Sequence, residues 1–295
     1  MSYRQTWIRG LLRLLALLPL PWVHALGAAL GWMLWRMTHS RYRQVAERNL
    51  ELCFPEWSSA ERNAVLRQNL MEAGKGLLEL APLWCWLGEQ VLGLVQGPVA
   101  GEEALADAVH RGQGAILMTP HLGAWEMAGL YYSSRLPLTI LYRPSRSGLD
   151  EISRQGRGRV GGKVVATDAA GVRALLTALH SGEVLGILPD QDPGLDSGLF
   201  APFFGIPANT ITLVSRLARK TGVPVFLTWA ERLPQGQGYA LHLRVLPDVT
   251  AATSLEASVA AINQGIEAAV RSLPTQYLWA YKRFKTQPPG APGLY

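Results

Sequence analysis

The chain is poor in charge, in lysine and in cysteine, and it lacks the common catalytic signatures. Of its 295 residues only 17% are charged, against roughly a quarter in soluble domains, and 48% are apolar. That balance excludes a disordered, solvated chain and calls for a large core or an apolar surround. Lysine is scarce: 5 of the 28 cations are lysine and 23 arginine, a choice suited to bidentate contact with phosphate or carboxylate. The two cysteines, Cys53 and Cys85, have neither metal-ligand nor redox spacing, and nothing demands an oxidising compartment. There is no P-loop, no Gly-x-Ser-x-Gly elbow and no His-Glu-x-x-His helix, which sets aside P-loop nucleotidases, serine esterases of the α/β-hydrolase type and zinc peptidases. Gly156, Gly158 and Gly161 have the spacing of a dinucleotide fingerprint. No strand precedes them, however, and a strand-like run follows, so they are expected to form a flexible basic loop.

The net charge of +6 is not arranged for nucleic acid, since no basic run interleaves with stacking aromatics. An anionic lipid or an acidic carrier protein fits it better. Residues 14–35 form a run of 22 without a formal charge, long enough to cross about 30 Å of hydrocarbon. Pro19, Pro21 and His24 interrupt the run, so a kinked span or a deeply seated interfacial helix is expected. Arg4, Arg9 and Arg13 precede it and Arg36, Arg41 and Arg43 follow, so the positive-inside bias assigns no orientation. A cleaved signal peptide is the rival reading, but the run is long for one and the remaining chain has no secreted character. Ten tryptophans also suit a membrane interface. The expected division is an anchor over 1–40 and a catalytic domain over 41–295.

Residues 41–86 have a helical, basic-to-neutral pattern, with Ser58 and Glu61 spaced as a capping box. Beyond a short helix at 102–110, apolar runs at 115–118, 138–142, 163–167, 184–188 and 225–230 read as strands, separated by segments of helical period. Residues 240–246 read as an antiparallel neighbour of the last of these. Thr253 and Glu256 are spaced as a second capping box, opening a helix to about Arg271, and 287–295 reads as a loose tail. The expected fold is α/β, a mostly parallel covered sheet with flanking helices, preceded by the membrane-anchoring helix. In such a sheet, function collects at the carboxyl ends of the strands. Three unusual stretches fall there: His121, Tyr142-Arg143-Pro144, and the turn-rich loop from Asp190 to Gly205.

His121-Leu122-Gly123-Ala124-Trp125-Glu126 carries the sharpest chemistry. On one continuous helix, five positions would set the two side chains roughly 140° apart, so the histidine must sit in a turn and the glutamate in the first turn of the helix after it. From there the histidine can point back toward Glu126, and an imidazole held by a carboxylate offers its other nitrogen as a base for an alcohol. With 6 histidines and 22 acids, one such pair by chance would be no surprise, so context must decide. The context includes Arg143, Arg146, Arg154, Arg157, Arg159 and Lys163, six cations in 21 residues, which read as a clamp for phosphate or an acidic partner, or as a solvated face. Asp192 has two readings, a contact to an acceptor or a pair with one of the arginines. Trp279-Ala280-Tyr281-Lys282-Arg283-Phe284 alternates aromatic and basic residues, which suits interface packing or closure of a site.

With these elements in this order, the chain resembles the late acyltransferases of lipid A biosynthesis, lauroyl and myristoyl transferases within the wider glycerolipid acyltransferase superfamily. Glutamate at 126, where the wider superfamily usually has aspartate, points to the lipid A branch. The resemblance implies an inner-membrane enzyme with its catalytic domain on the cytoplasmic face. It would carry a fatty acyl group from acyl carrier protein, as co-substrate, to a hydroxyl of an acyl chain on the lipid A precursor, with no cofactor or metal. By position His121 would be the general base and Glu126 its orienting partner. Arg143, Arg157 and Arg159 become candidates for phosphate contacts, and Asp192 a residue of the substrate loop. Backbone amides near Gly123 are expected to hold the oxyanion. The alternatives are transfer to lysophosphatidate, a glycolipid or an ornithine lipid, and a non-catalytic membrane-anchored binding module.

Overall fold

A computed structural model describes residues 3–144, 150–194 and 197–295. The first forty residues form two helices, α1 (Tyr3–Leu15) and α2 (Leu20–Arg36), broken where Pro19 and Pro21 stand and bent by 120°. The kink expected there is therefore large. No single described helix is long and apolar enough to cross a membrane, while the bent pair passes that test together. Helices α3 (Arg41–Cys53), α4 (Ser59–Leu78), α5 (Leu80–Cys85), α6 (Gly88–Leu92) and α7 (Glu102–His110) follow. The Ser58 hydroxyl accepts from the Glu61 amide and the Glu61 carboxylate accepts from Ser58 N–H, so α4 opens on the expected capping box.

α2 is fixed to α4 by small residues. A Cβ on Gly27 would stand 2.6 Å from the Gly74 carbonyl oxygen, and one on Gly31 would overlap the Leu70 carbonyl. Two backbones can approach this closely only across a glycine-x-x-x-glycine face. The opposite face of α2 exposes Trp22, Leu26, Leu30 and Met33, at the spacing of a single helical stripe. Tyr3, Trp7, Leu11 and Leu14 make the same stripe on α1.

The central layer is a six-stranded sheet in the order β3-β2-β4-β1-β7-β8. Its strands are β1 (Ala115–Met118), β2 (Leu138–Tyr142), β3 (Lys163–Ala166), β4 (Val184–Ile187), β7 (Val225–Arg232) and β8 (Tyr239–Val245). All neighbours are parallel except β7 and β8, the antiparallel neighbour expected from sequence. Between strands run α8 (Trp125–Ser133), α9 (Asp150–Gly158), α10 (Ala169–His180) and α11 (Leu213–Thr221), and α12 (Pro247–Ala251) and α13 (Leu255–Ser272) follow the last strand. Alternate residues of β1 enter two cores. Ile116 and Met118 pack with α10, α11 and α13, whereas Ala115 and Leu117 pack with α8. A sheet covered on both faces explains why its strands read as plain apolar runs.

Four expectations change. The loop after β4 contains a two-stranded hairpin, β5 (Gly198–Phe203) and β6 (Ile206–Ile211), seated on α13 through Asn263, which donates to the Ala201 carbonyl. The cap of α13 is Ser254, whose hydroxyl accepts from Ala257 N–H, one residue beyond Thr253. Gly156 and Gly158 lie in helix α9 and not in a loop; a Cβ on Gly156 would stand 2.6 Å from the Trp84 ring, so the glycine serves helix packing. The terminal segment is fastened, because the Tyr295 hydroxyl donates to Asn49 Oδ1 and accepts from Phe284 N–H.

Candidate active site

Strands β2, β4 and β1 are neighbours, so the three segments leaving their carboxyl ends converge, as the alternation of strands and helices predicted. The turn after β1 is shaped by Gly123, which has φ +62° and lies so near Ala230 that a Cβ would overlap its carbonyl oxygen. Only glycine meets both demands. Gly123 N–H donates to the Gln276 carbonyl and Ala124 N–H to the Ala230 carbonyl, locking the turn between β7 and the C-terminal segment. Leu122 N–H is likewise engaged, by Pro120. These amides are already taken, so the expected oxyanion contact from amides at Gly123 is not available in this arrangement.

His121 stands in the turn, as its spacing required, but its carboxylate partner is Asp190. The His121 Nδ1 lies 2.7 Å from one Asp190 oxygen, and His121 N–H donates to the other at 2.9 Å. Asp190 is 3% exposed. Burial alone would raise its carboxyl, but the charge of His121 and the two hydrogen bonds outweigh that and hold it below the ordinary carboxylate range. The free ring nitrogen, Nε2, is 3.2 Å from the side-chain nitrogen of Gln191. An amide N–H donating there assigns the Nε2 lone pair as acceptor and the ring proton to Nδ1, facing Asp190. This is the tautomer a general base needs.

Glu126 serves a different partner. It sits in the first turn of α8 and takes a bidentate grip from Arg157 on α9, with Nη2 at 2.5 Å and Nε at 3.1 Å. The expectation that Glu126 orients His121 therefore does not match the geometry. A helix-borne glutamate points across to α9, while the carboxylate next to the imidazole arrives on the loop leaving the neighbouring strand β4, 69 residues along the chain. Sequence spacing favoured the near acid over the far one. The overlooked signal was the Asp190-Gln191-Asp192 cluster at the end of β4, which parallel pairing of β1 with β4 brings to His121.

Beside His121 opens a cleft of about 750 Å³, lined by Arg143, Arg157, Asp168, Asp192 and Arg216 among other residues. Arg159 lies elsewhere, donating to the Leu83 and Trp86 carbonyls. Arg146 is outside the described residues. Asp192 ties the loop together, accepting from Gly194 N–H, Asn209 Nδ2 and Thr286 N–H. Burial would raise its carboxyl too, but those donors keep it below the ordinary range. Arg283 is buried and donates to the Asn209 carbonyl and the Thr210 hydroxyl, and Trp279 and Phe284 are core residues. Trp279, Arg283 and Phe284 of the C-terminal aromatic and basic alternation are thus core residues, Tyr281 and Lys282 are half-buried, and Tyr281 supports the cleft by accepting from Asp192 N–H.

A family model for the bacterial lipid A biosynthesis acyltransferases matches residues 1–286. The chain belongs to that family. It is an acyl-transferring enzyme, 32% identical over 296 residues to the lipid A biosynthesis lauroyltransferase of Escherichia coli K12, covering 99% of this chain and 95% of that protein. The palmitoleoyltransferase of the same organism matches equally, at 32% over the same shares. The E. coli myristoyltransferase is 26% identical over 249 residues, covering 82% of this chain and 75% of that protein. Among the described residues no group of three or more His, Cys, Asp or Glu could hold a metal.

Proposed function

We propose that this lipid A acyltransferase moves a fatty acyl group, laurate or myristate, from acyl carrier protein to a hydroxyl of an acyl chain on the lipid A precursor. It would work at the cytoplasmic face of the inner membrane. The observation that carries the chemistry is His121, with Nδ1 on a buried carboxylate and Nε2 turned to the cleft. Nε2 takes the hydroxyl proton as the oxygen attacks the thioester carbon. The C–S bond then breaks, and the imidazolium returns the proton to the leaving thiolate, so an ester and a free thiol are formed with no covalent enzyme intermediate. Asp190 holds the tautomer and supports the cation that forms in between. The Gln191 side-chain amide, beside Nε2, is a donor for the developing oxyanion. Arg143 and Arg216 bring positive charge to the cleft wall, which suits phosphate groups on donor or acceptor. The exposed stripes of α1 and α2, with Arg9, Arg13 and Arg36 close by, suit an anionic lipid surface.

The test is acyl transfer by detergent-solubilised protein, offering lauroyl and myristoyl carrier protein with a lipid A precursor. Both His121→Ala and Asp190→Asn are expected to lose about 10²–10⁴ in rate while remaining folded by circular dichroism. A His121→Ala enzyme of undiminished rate would sink the assignment. Turnover on lysophosphatidate alone would move it to another acceptor.

A further inference from the structure

We propose that a narrow apolar slot behind the Glu126–Arg157 pair receives the methyl end of the acyl chain, and that Gly129 and Gly186 set the length accepted. The inference rests on the acyl-transfer reading above and extends it to donor choice.

The slot, of about 30 Å³, lies between the sheet and α8, on the face that Leu117, Leu130, Leu138 and Ile140 cover. Such a layer is normally filled to the density of an organic crystal. Here two side chains are missing from it. On β4, Gly186 stands in register between Leu117 of β1 and Ile140 of β2 and lends no side chain to this face, and Ile140 leans over it, 3.3 Å from where a Cβ would stand. On α8, a Cβ added to Gly129 would meet nothing within 4 Å, although alanine is the better residue inside a helix. Both glycines line the slot. Apart from Thr119, its remaining lining is hydrocarbon except at one end, where Glu126 and Arg157 stand. An apolar cavity stays dry and takes hydrocarbon.

The slot adjoins the cleft that holds the base. Arg157, Ile187 and Leu188 line both it and the cleft that holds His121. An acyl chain with its thioester carbon at His121 Nε2 and its tail passing these three residues would reach the gap between Gly129 and Gly186. The ion pair marks the passage, because Glu126 is nearly buried and its partner Arg157 touches both spaces. As it stands the slot holds only the end of a chain, so filling the gap must shorten what fits.

The variants Gly129→Ala, Gly129→Leu and Leu138→Ala are assayed beside wild type with decanoyl, lauroyl, myristoyl and palmitoyl carrier protein. In Gly129→Leu, kcat/KM for the donor preferred by wild type, divided by that for a donor two carbons shorter, is expected to fall at least about tenfold, the usual weight of a methylene in a filled pocket. Gly129→Ala should move it the same way but less. Leu138→Ala, which lengthens the slot, should favour the longer donor. An unchanged donor ranking in all three variants, or an equal loss on every donor, overturns the proposal. Thermal stabilisation by free decanoate, laurate and myristate reads the slot without turnover. There too Gly129→Leu should shift preference to the shorter acid, and an unshifted ranking counts against the slot. Wild-type protein that transfers from no donor yet shows this shift would strike the transfer reading and leave the slot standing.

Discussion

At the scale of single residues, the exchange of partners between two acids sets the geometry around His121. His121 has Asp190, and Glu126 has Arg157. If Glu126 acts only through Arg157, removing it harms the protein by leaving a guanidinium that is three-quarters buried without a partner. Glu126→Ala should then cost about 2 kcal/mol of stability, somewhat less than the 3–5 typical of a fully buried pair. In an Arg157→Met background the same change should cost little, giving a coupling energy of about 1–2 kcal/mol. Chemical denaturation of the four proteins of this cycle measures it. A loss of rate from Glu126→Ala that persists unchanged without Arg157 would return the glutamate to the histidine. Little of this pairing was legible in advance. Local spacing made Glu126 visible, while Asp190 reaches His121 only through the pairing of β1 with β4, a contact with no sequence period.

At the scale of elements, most of the sheet was legible because strands covered on both faces are uninterrupted apolar runs, and their borders are glycine and proline. The hairpin of β5 and β6 was hidden for the opposite reason. Its apolar residues, among them Leu199, Phe203 and Ile206, are broken up by glycine and proline, and its order comes from Asn209, Asp192 and Asn263 bonding across the loop. Nor did the sequence reveal how α2 is held, since glycines in an apolar run suit a lipid-facing helix and a helix pressed on another backbone equally well. The close approach of α2 to α4 gives its own prediction. Gly31→Ala places a methyl against the Leu70 carbonyl with no flexible side chain to yield, so the helices must separate. A loss of about 1–3 kcal/mol is expected, seen as a lower Tm and faster proteolysis between α2 and α3. Wild-type values for both would show that the helices can slide to accommodate it.

At the scale of the whole molecule, one buried charge cluster joins distant parts. Glu79, at the end of α4, accepts from Arg232 of β7 at 2.6 and 2.8 Å, from the Tyr239 hydroxyl of β8 at 3.0 Å, and lies 3.1 Å from His24 of α2. Burial alone would raise its carboxyl, but Arg232 and His24 outweigh that and push it down to about 2. The unfolded chain binds this proton at an ordinary carboxylate pKa near 4.3. Between the two values the unfolded state holds more protons, so stability falls as pH falls through that window and is fully present above it. The cluster should therefore contribute on the order of 3 kcal/mol at neutral pH that disappears on acidification. Glu79→Gln is expected to flatten this part of the stability curve, followed by denaturant midpoints from pH 6 to pH 2. A variant curve as steep as the wild type's would place the acid sensitivity elsewhere, Asp190 being the next candidate.

Arg232 has one further bond, to the carbonyl of Gly123 at 2.9 Å. Helix α2, Glu79, Arg232 and the turn bearing His121 thus form a single linkage with rigid joints. Its outer end is the helix whose apolar stripe faces outward, and its inner end holds the turn that carries His121. Removing the Arg232 link with Arg232→Met is therefore expected to make turnover respond differently to the detergent or lipid set against α2, and an unchanged response would show that the contacts carry no coupling.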